Sequence, residues 1–212
     1  MLLLTNLQKI YISSVVIASL LAIILIIVFI YKFIYTKKHF EDTVYFKLAS
    51  LAKINDFLLL NNYVVDFDDS HVGIINHILI SKKYIYVIND FSIKGVVSGE
   101  YNDRSLRLIT KGQSVKYISN PINYNINLIK RLNLYSRLDQ TLIKGIVVVP
   151  NDCYVNIPNT NNQFMMINKK HLKKLVLKGD KDNVKKLKEK DVVNFINKLN
   201  KQNQKRRIDE SK

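Results

Sequence analysis

Two apolar segments in the middle of the chain carry a few polar residues, of which His77 is a candidate general base. Asn76 and His77 interrupt the first segment, and Asn89 and Asp90 end the second. A hard divalent cation needs anionic oxygen ligands, whereas the amides of Asn76 and Asn89 supply dipoles without net charge. Alternation along a strand directs Asp90 to the opposite face from Asn89. His77 could act as a general base, although a single histidine on a strand is more often a packed or surface residue.

A second candidate site is a lysine-rich segment in the last quarter of the chain. The residues that we expect to contact nucleic acid or lipid are Lys169, Lys170, Lys173, Lys174, Lys178, Lys185 and Lys186. Lysines crowded on a short helix are typical of contact with nucleic-acid phosphates. A solvated helical face has the same pattern. A third interpretation is a surface that lies on anionic lipid, where each Lys contributes about 1 kcal/mol.

The overall charge favours polyanionic partners without choosing between them. The 212 residues include 33 Lys and Arg against 17 Asp and Glu, a net charge of +16. This balance excludes an acidic solvating protein and favours nucleic acid or anionic lipid headgroups. The single cysteine, Cys153, cannot form an intramolecular disulfide, and no Cys and His cluster has zinc spacing. We therefore expect the hydrophobic core alone to stabilise the fold.

The strongest physical signal is an apolar run near the N-terminus. No charged residue occurs between Ile10 and Tyr31, and about 22 helical residues span the hydrocarbon core of a bilayer. We predict a short flank over residues 1–9 and a transmembrane helix over residues 10–35. A cleaved signal peptide is the alternative, but its apolar region is usually shorter. More basic residues follow the span than precede it, which favours a single-pass protein of the cell membrane with a cytoplasmic soluble domain.

The rest of the chain has the pattern of one α/β domain. Helical periodicity predicts helices over residues 41–51 and 121–138, and short apolar runs around them predict strands. This order favours a mixed sheet flanked by helices. We place the domain at residues 39–160, a basic strand and helices at residues 161–200, and a basic disordered tail at residues 201–212.

Three motifs carry a resemblance to a known family. They are Ile75-Asn-His-Ile-Leu-Ile-Ser81, Tyr86-Val-Ile-Asn-Asp-Phe-Ser-Ile-Lys-Gly95, and Asn120-Pro-Ile122, which opens a helix. In their order and spacing they resemble the nuclease-related domain, NERD, a branch of the PD-(D/E)xK nuclease superfamily. The resemblance runs from about Glu41 to Ile157 and implies a restriction-endonuclease-like mixed sheet with flanking helices.

The chain departs from the family at the positions that do the chemistry. It has Asn76 where the family usually has Asp, Asn89 where it has Glu, and Phe91 where it has Lys. In such nucleases two carboxylates are thought to bind Mg²⁺ while the lysine orients or activates the attacking water. Two amides and a phenyl ring cannot do this. The resemblance therefore implies a domain with no intact catalytic set, for which no metal or other cofactor is expected.

Other family positions give a mixed result. Glu41 fits the position of an N-terminal helix glutamate, whereas Tyr124 and Leu128 stand where Gln and His are common. A rearranged site built from Asp90 and Lys94 is the alternative, and Mg²⁺ would be required if it were active. Strand alternation argues against it, because Asp90 is turned away from the place where Asn76 projects.

These observations predict a membrane-anchored, catalytically degenerate NERD-domain protein that binds nucleic acid or a partner. Two other functions stay open, an active metal-dependent nuclease and a membrane-surface or protein-interaction module. The expected partners are the membrane, DNA or RNA, and another membrane-associated protein.

Overall fold

The computed structural model describes residues 6–68, 71–136, 138–158 and 162–209. The chain divides into two compact units, Met1–Phe40 and Glu41–Lys212. Within the described ranges, the α-helices are α1 (Asn6–Asn55), α2 (Pro121–Ser136), α3 (Leu172–Gly179) and α4 (Glu189–Asp209). The strands are β1 (Leu58–Asp68), β2 (His71–Ile80), β3 (Ile85–Asp90), β4 (Gly95–Ser98), β5 (Ser105–Ile109), β6 (Val115–Ser119), β7 (Ile143–Val149), β8 (Cys153–Asn156) and β9 (Phe164–Asn168).

The first unit contains the predicted membrane-spanning segment, all of which lies in α1. From Ser14 to Tyr31 the helix has a mean hydropathy of 3.0, and none of this segment is buried. Eighteen helical residues span about 27 Å, close to the hydrocarbon thickness of a bilayer. The segment is therefore long and apolar enough to cross a membrane, a property that signal sequences near an N-terminus share.

The second unit begins with the C-terminal part of α1. Val44, Leu48 and Leu51 are buried, with exposed fractions of 0%, 0% and 2%. These residues recur at the spacing that places side chains on one helical face. The stripe that the sequence predicts over residues 41–51 is thus confirmed, and it packs into the core of this unit.

A five-stranded mixed sheet runs through the second unit in the order β1-β2-β3-β7-β9. The first three strands are antiparallel neighbours, whereas β3, β7 and β9 are parallel. Residues 85–89 of β3 are all buried, as expected for an inner strand with both faces covered. Since β9 pairs with β7, the segment that we separated as residues 161–200 contributes a strand to the main sheet.

A four-stranded sheet of order β6-β5-β4-β8 adjoins the first. The chain leaves β3 through a turn in which the Ile93 N–H donates to the Phe91 carbonyl at 3.0 Å. It then starts β4 at Gly95, whose φ of +123° is open to glycine. A Cβ at Gly95 would also collide with the carbonyl oxygen of Ile109 on β5. The α/β class with mixed sheets flanked by helices is confirmed, and the turn before Gly95 divides the strands between two sheets.

Helices α2 and α4 close the core. Helix α2 packs across β7, and α4 packs on β1 and α2. Ile122 and Ile129 of α2 and Phe195 and Leu199 of α4 are at most 3% exposed. Helix α4 continues to Asp209, so residues 201–209 are helical and not the disordered tail that we predicted. Lys, Gln and Arg extend a helix at little cost once buried residues have anchored it.

Candidate degenerate nuclease site

A cavity lies at the C-terminal end of β3 and the N-terminal end of α2. Its volume is about 340 Å³. Three of the four predicted family positions, Asn76, Asn89 and Phe91, line this cavity together. The fourth, Glu41, is half-buried on α1 and does not line it. The structure therefore brings the three departures from the family pattern into one place.

A network of neutral amides occupies this place. The Asn76 backbone N–H donates to Asn89 Oδ1 at 3.0 Å, and the Asp90 backbone N–H donates to Asn76 Oδ1 at 3.2 Å. Asn89 Nδ2 donates to Asn125 Oδ1 on α2 at 2.6 Å. Asn89 and Asn125 are only 7% and 1% exposed, so these hydrogen bonds satisfy groups that water does not reach. The amides link the middle of β2 and the end of β3 to α2.

The residues of the cavity do not fit the Mg²⁺ that the family implies. The cation needs several anionic oxygen ligands, and the amide oxygens of Asn76 and Asn89 already accept backbone N–H groups. Phe91 supplies no ligand. No group of three or more His, Cys, Asp or Glu side chains in the described ranges could hold a metal ion.

Asp90 also lines the cavity, but its carboxylate is engaged elsewhere. Asp90 Oδ2 lies 2.9 Å from His77 Nε2, and His77 Nδ1 lies 2.7 Å from Asn61 Oδ1 on β1. The ring of Tyr45 on α1 stacks near His77 at a centroid distance of 6.4 Å. Asn89 hydrogen-bonds to α2, whereas Asp90 hydrogen-bonds to His77. The two neighbouring side chains therefore point to opposite faces of β3, as strand alternation predicts. His77 is 5% exposed, so it is a packed residue.

Burial dominates the electrostatics of Asp90. Its side chain has no exposed surface, and desolvation raises the pKa of the carboxyl above its ordinary value. The hydrogen bond and the charge of His77 act in the opposite direction and are the smaller causes. Asp90 Oδ1 has no hydrogen-bond partner among the described residues. The one acid beside the degenerate positions is thus held in a dry environment.

The structure does not assemble the rearranged site. Lys94 Nζ lies 3.7 Å from Asp152 Oδ2, and both side chains are more than half exposed. At another family position, the Tyr124 hydroxyl receives a hydrogen bond from the Ile74 backbone N–H at 2.8 Å. Leu128 is fully buried in the core. None of these residues brings a second charge to Asp90.

Four of the seven predicted lysines meet on α3 and the turn before it. Lys170, Lys173, Lys174 and Lys178 line a groove of about 560 Å³, together with Lys181 and Leu177. The remaining three lie elsewhere: Lys169 Nζ donates to Thr43 Oγ1 at 2.9 Å, and Lys185 and Lys186 are exposed in the segment after α3. We use the name lysine groove for the groove lined by Lys170, Lys173, Lys174, Leu177, Lys178 and Lys181.

Lys47 lies beside the lysine groove, and no sequence pattern predicted this position. Lys47 Nζ donates to the carbonyl oxygen of Lys169, 122 residues away, at 2.7 Å. Burial, followed by the nearby charges of Lys169 and Lys173, lowers the pKa of Lys47. Mutual repulsion of this kind indicates a concentrated positive potential. Only the fold brings α1 next to the start of α3, so spacing in the sequence could not have identified this residue.

One of three comparisons with known proteins supports the family resemblance. No curated protein and no solved structure matches the chain. The family model of the nuclease-related domain matches residues 36–150, which include the α1 stripe, the cavity and β7. Because this match covers more than half of the 212 residues, the chain belongs to the nuclease-related domain (NERD) family.

Proposed function

We propose that this protein is a membrane-anchored member of the NERD family that binds nucleic acid without cutting it. The observation that carries the proposal is the neutral amide network at the family's catalytic positions. Cleavage of a phosphodiester needs charge stabilisation of the transition state and an activated water. Asn76, Asn89 and Phe91 supply neither of them.

The lysine groove supports binding. Its five lysines face solvent around one apolar residue, Leu177. Phosphate contacts by such residues release counterions and give affinity without reading sequence. Burial lowers the pKa of Lys47 most, and the charges of Lys169 and Lys173 lower it further, so several cations lie close together here.

The apolar helix from Ser14 to Tyr31 supports the anchor. In our proposal this helix stays in the cell membrane and the second unit faces the cytoplasm, since basic residues are denser after the span than before it. Nucleic acid is then captured at the membrane surface. A partner protein in the same membrane could be held in addition.

The test uses the full chain in detergent micelles, titrated into labelled DNA and RNA with either Mg²⁺ or EDTA. We expect a mobility shift in both buffers, intact strands, and affinity that falls steeply with salt. The triple variant Lys170→Gln, Lys173→Gln and Lys174→Gln should bind at least about tenfold more weakly at low salt, with a salt slope smaller by about 2 to 3.

A matched control removes the same charge from other exposed lysines, Lys82→Gln, Lys111→Gln and Lys116→Gln, and should change affinity less than about twofold. Metal-dependent cutting would contradict the degenerate site. Tight binding to anionic vesicles with no binding to DNA or RNA would replace the proposal by a membrane-surface module.

A further inference from the structure

A second cavity adjoins the degenerate site. Its volume is about 670 Å³. It shares Ser119, Asn120 and Tyr124 with the 340 Å³ cavity, so the two cavities are neighbours along α2. Both volumes fall within the range of about 300–1,000 Å³ that is usual for small-ligand sites. We call this combined space the α2 cleft.

The walls of the α2 cleft are fixed before any ligand arrives. Asn120 Nδ2 donates to the carbonyl oxygens of Tyr101 at 3.0 Å and Asp103 at 2.8 Å. Asn123 Nδ2 donates to the same Asp103 carbonyl at 2.6 Å. These bonds tie the loop before β5 to the start of α2. A ligand would therefore meet a preorganised surface and would lose little affinity to ordering of the loop.

The lining of the larger cavity combines three kinds of group. Arg104 and Lys130 are its two cations, and no acidic residue is among the described residues that line it. Tyr101 and Tyr124 supply aromatic rings. The remaining polar surface comes mainly from the amides of Asn102, Asn123 and Asn127.

Each kind of group matches one part of a nucleotide. Guanidinium and ammonium groups bind phosphate oxygens. Aromatic rings stack on nucleobases, and amides donate to and accept from base edges. In the adjoining cavity the amides of Asn76 and Asn89 are neutral, and the carboxylate of Asp90, which also lines it, is paired with His77. The combination differs from the lysine groove, whose lining offers cations with a single aliphatic side chain.

We propose that the α2 cleft binds one unpaired nucleotide unit, with its phosphate at Arg104 and Lys130 and its base among Tyr101, Tyr124 and the amides. The unit must be unpaired because a base inside a duplex cannot enter a pocket of this size. It is either a residue of a single strand or a free nucleotide. The inference deepens the proposed function, because it assigns a second nucleic-acid contact besides the lysine groove.

The test measures fluorescence anisotropy of a labelled pentanucleotide of single-stranded DNA or RNA with the full chain in detergent. The double variant Arg104→Gln and Lys130→Gln should weaken binding at least about tenfold and lower the salt slope by about 0.7, because both cations contact one phosphate. The double control Lys82→Gln and Lys111→Gln removes equal charge outside the cleft. It should change binding less than about twofold.

A second variant, Asn127→Asp, guards against loss of folding, since this side chain is exposed on α2. It should keep the circular dichroism spectrum of the wild type. Its new carboxylate should repel the phosphate and so weaken binding of the pentanucleotide. Competition with adenosine and guanosine monophosphates distinguishes the two sources. Equal competition by a monophosphate identifies a free nucleotide as the ligand, and much stronger competition by the pentanucleotide identifies a strand.

The outcomes separate this inference from the proposed function. Long polymers that bind wild type and both cleft variants equally would overturn the cleft site and leave nucleic-acid binding intact. Monophosphates that bind without any polymer binding would support the cleft and overturn the proposed function. Absence of binding by every probe would overturn both.

Discussion

Asn89 and Asp90 are neighbours in β3, yet they belong to opposite chemical environments. Asn89 joins a neutral amide network that borders a cavity, and Asp90 bonds to His77. In the family pattern the first of these two positions carries the acid. Here the acid is retained one residue later, where strand alternation turns it away from the place of the amides.

A carboxylate in the expected strand can serve in a catalytic site only if it also lies on the face of the strand that borders the site. The Asp90 side chain has no exposed surface, and His77 beside it is 5% exposed. The Asp90 carboxylate and the His77 ring are therefore buried against each other. We interpret the Asp90 side as structural and the Asn89 side as the surface that a ligand can approach.

Removing the Asp90 carboxylate should lower the stability of the protein more than any other change proposed below. Asp90→Ala leaves His77 Nε2 without its partner in a dry environment, and it should lower the free energy of unfolding by about 2–3 kcal/mol. The loss stays below the about 3–5 kcal/mol of a broken buried ion pair, because removing a desolvated carboxylate also relieves its burial cost. Urea unfolding of the full chain in detergent, followed by circular dichroism, measures the change.

The control for that variant is Asp152→Ala. Asp152 is 54% exposed and pairs with the exposed Lys94, so its loss should change stability by less than about 1 kcal/mol. Equal effects of the two alanine variants would contradict a structural role for Asp90.

A smaller effect is expected from placing a charge on the cavity side. Asn89→Asp exchanges the Nδ2 that donates to Asn125 Oδ1 for an oxygen, which should cost about 1–2 kcal/mol at neutral pH. Burial and the facing Oδ1 would raise the folded pKa of the new carboxyl. The variant should therefore regain stability as pH falls and the protonated carboxyl donates again. Asn156→Asp, at an exposed position of β8, is the control and should show no such recovery.

Sequence patterns predicted the local features well. The stripe of Val44, Leu48 and Leu51, the helix that starts at Pro121 and the alternation at Asp90 all depend on residues within a few positions of each other. The same holds for the apolar helix near the N-terminus. Periods of 3.6 and 2.0 residues carry this information directly.

Features that depend on distant pairs were not predictable. Lys47 meets Lys169 only through the packing of α1 on the turn before α3. Asn125 on α2 accepts a hydrogen bond from the Asn89 amide on β3, 36 residues earlier in the chain. The α2 cleft likewise joins a loop and a helix through Asn120 and Asn123. Such contacts have no fixed spacing, so no period in the sequence encodes them.

We expect the smallest change in the free energy of unfolding from Asp90→Asn. The pH dependence of this change tests whether Asp90 is desolvated. Burial holds the pKa of Asp90 above its ordinary value, so the folded state binds this proton more tightly than the unfolded state does. The neutral carboxyl therefore stabilises the fold below the unfolded pKa, and this stabilisation is lost as pH rises through the folded pKa. Asn at this position cannot ionise and keeps an oxygen for His77. The free energy of unfolding of Asp90→Asn relative to wild type should thus rise with pH above about 4 and level off once Asp90 is ionised. Urea titrations between about pH 4 and pH 8 measure this difference. Parallel pH profiles for the two proteins would mean that Asp90 ionises as readily in the folded as in the unfolded chain, which would contradict the desolvation of Asp90.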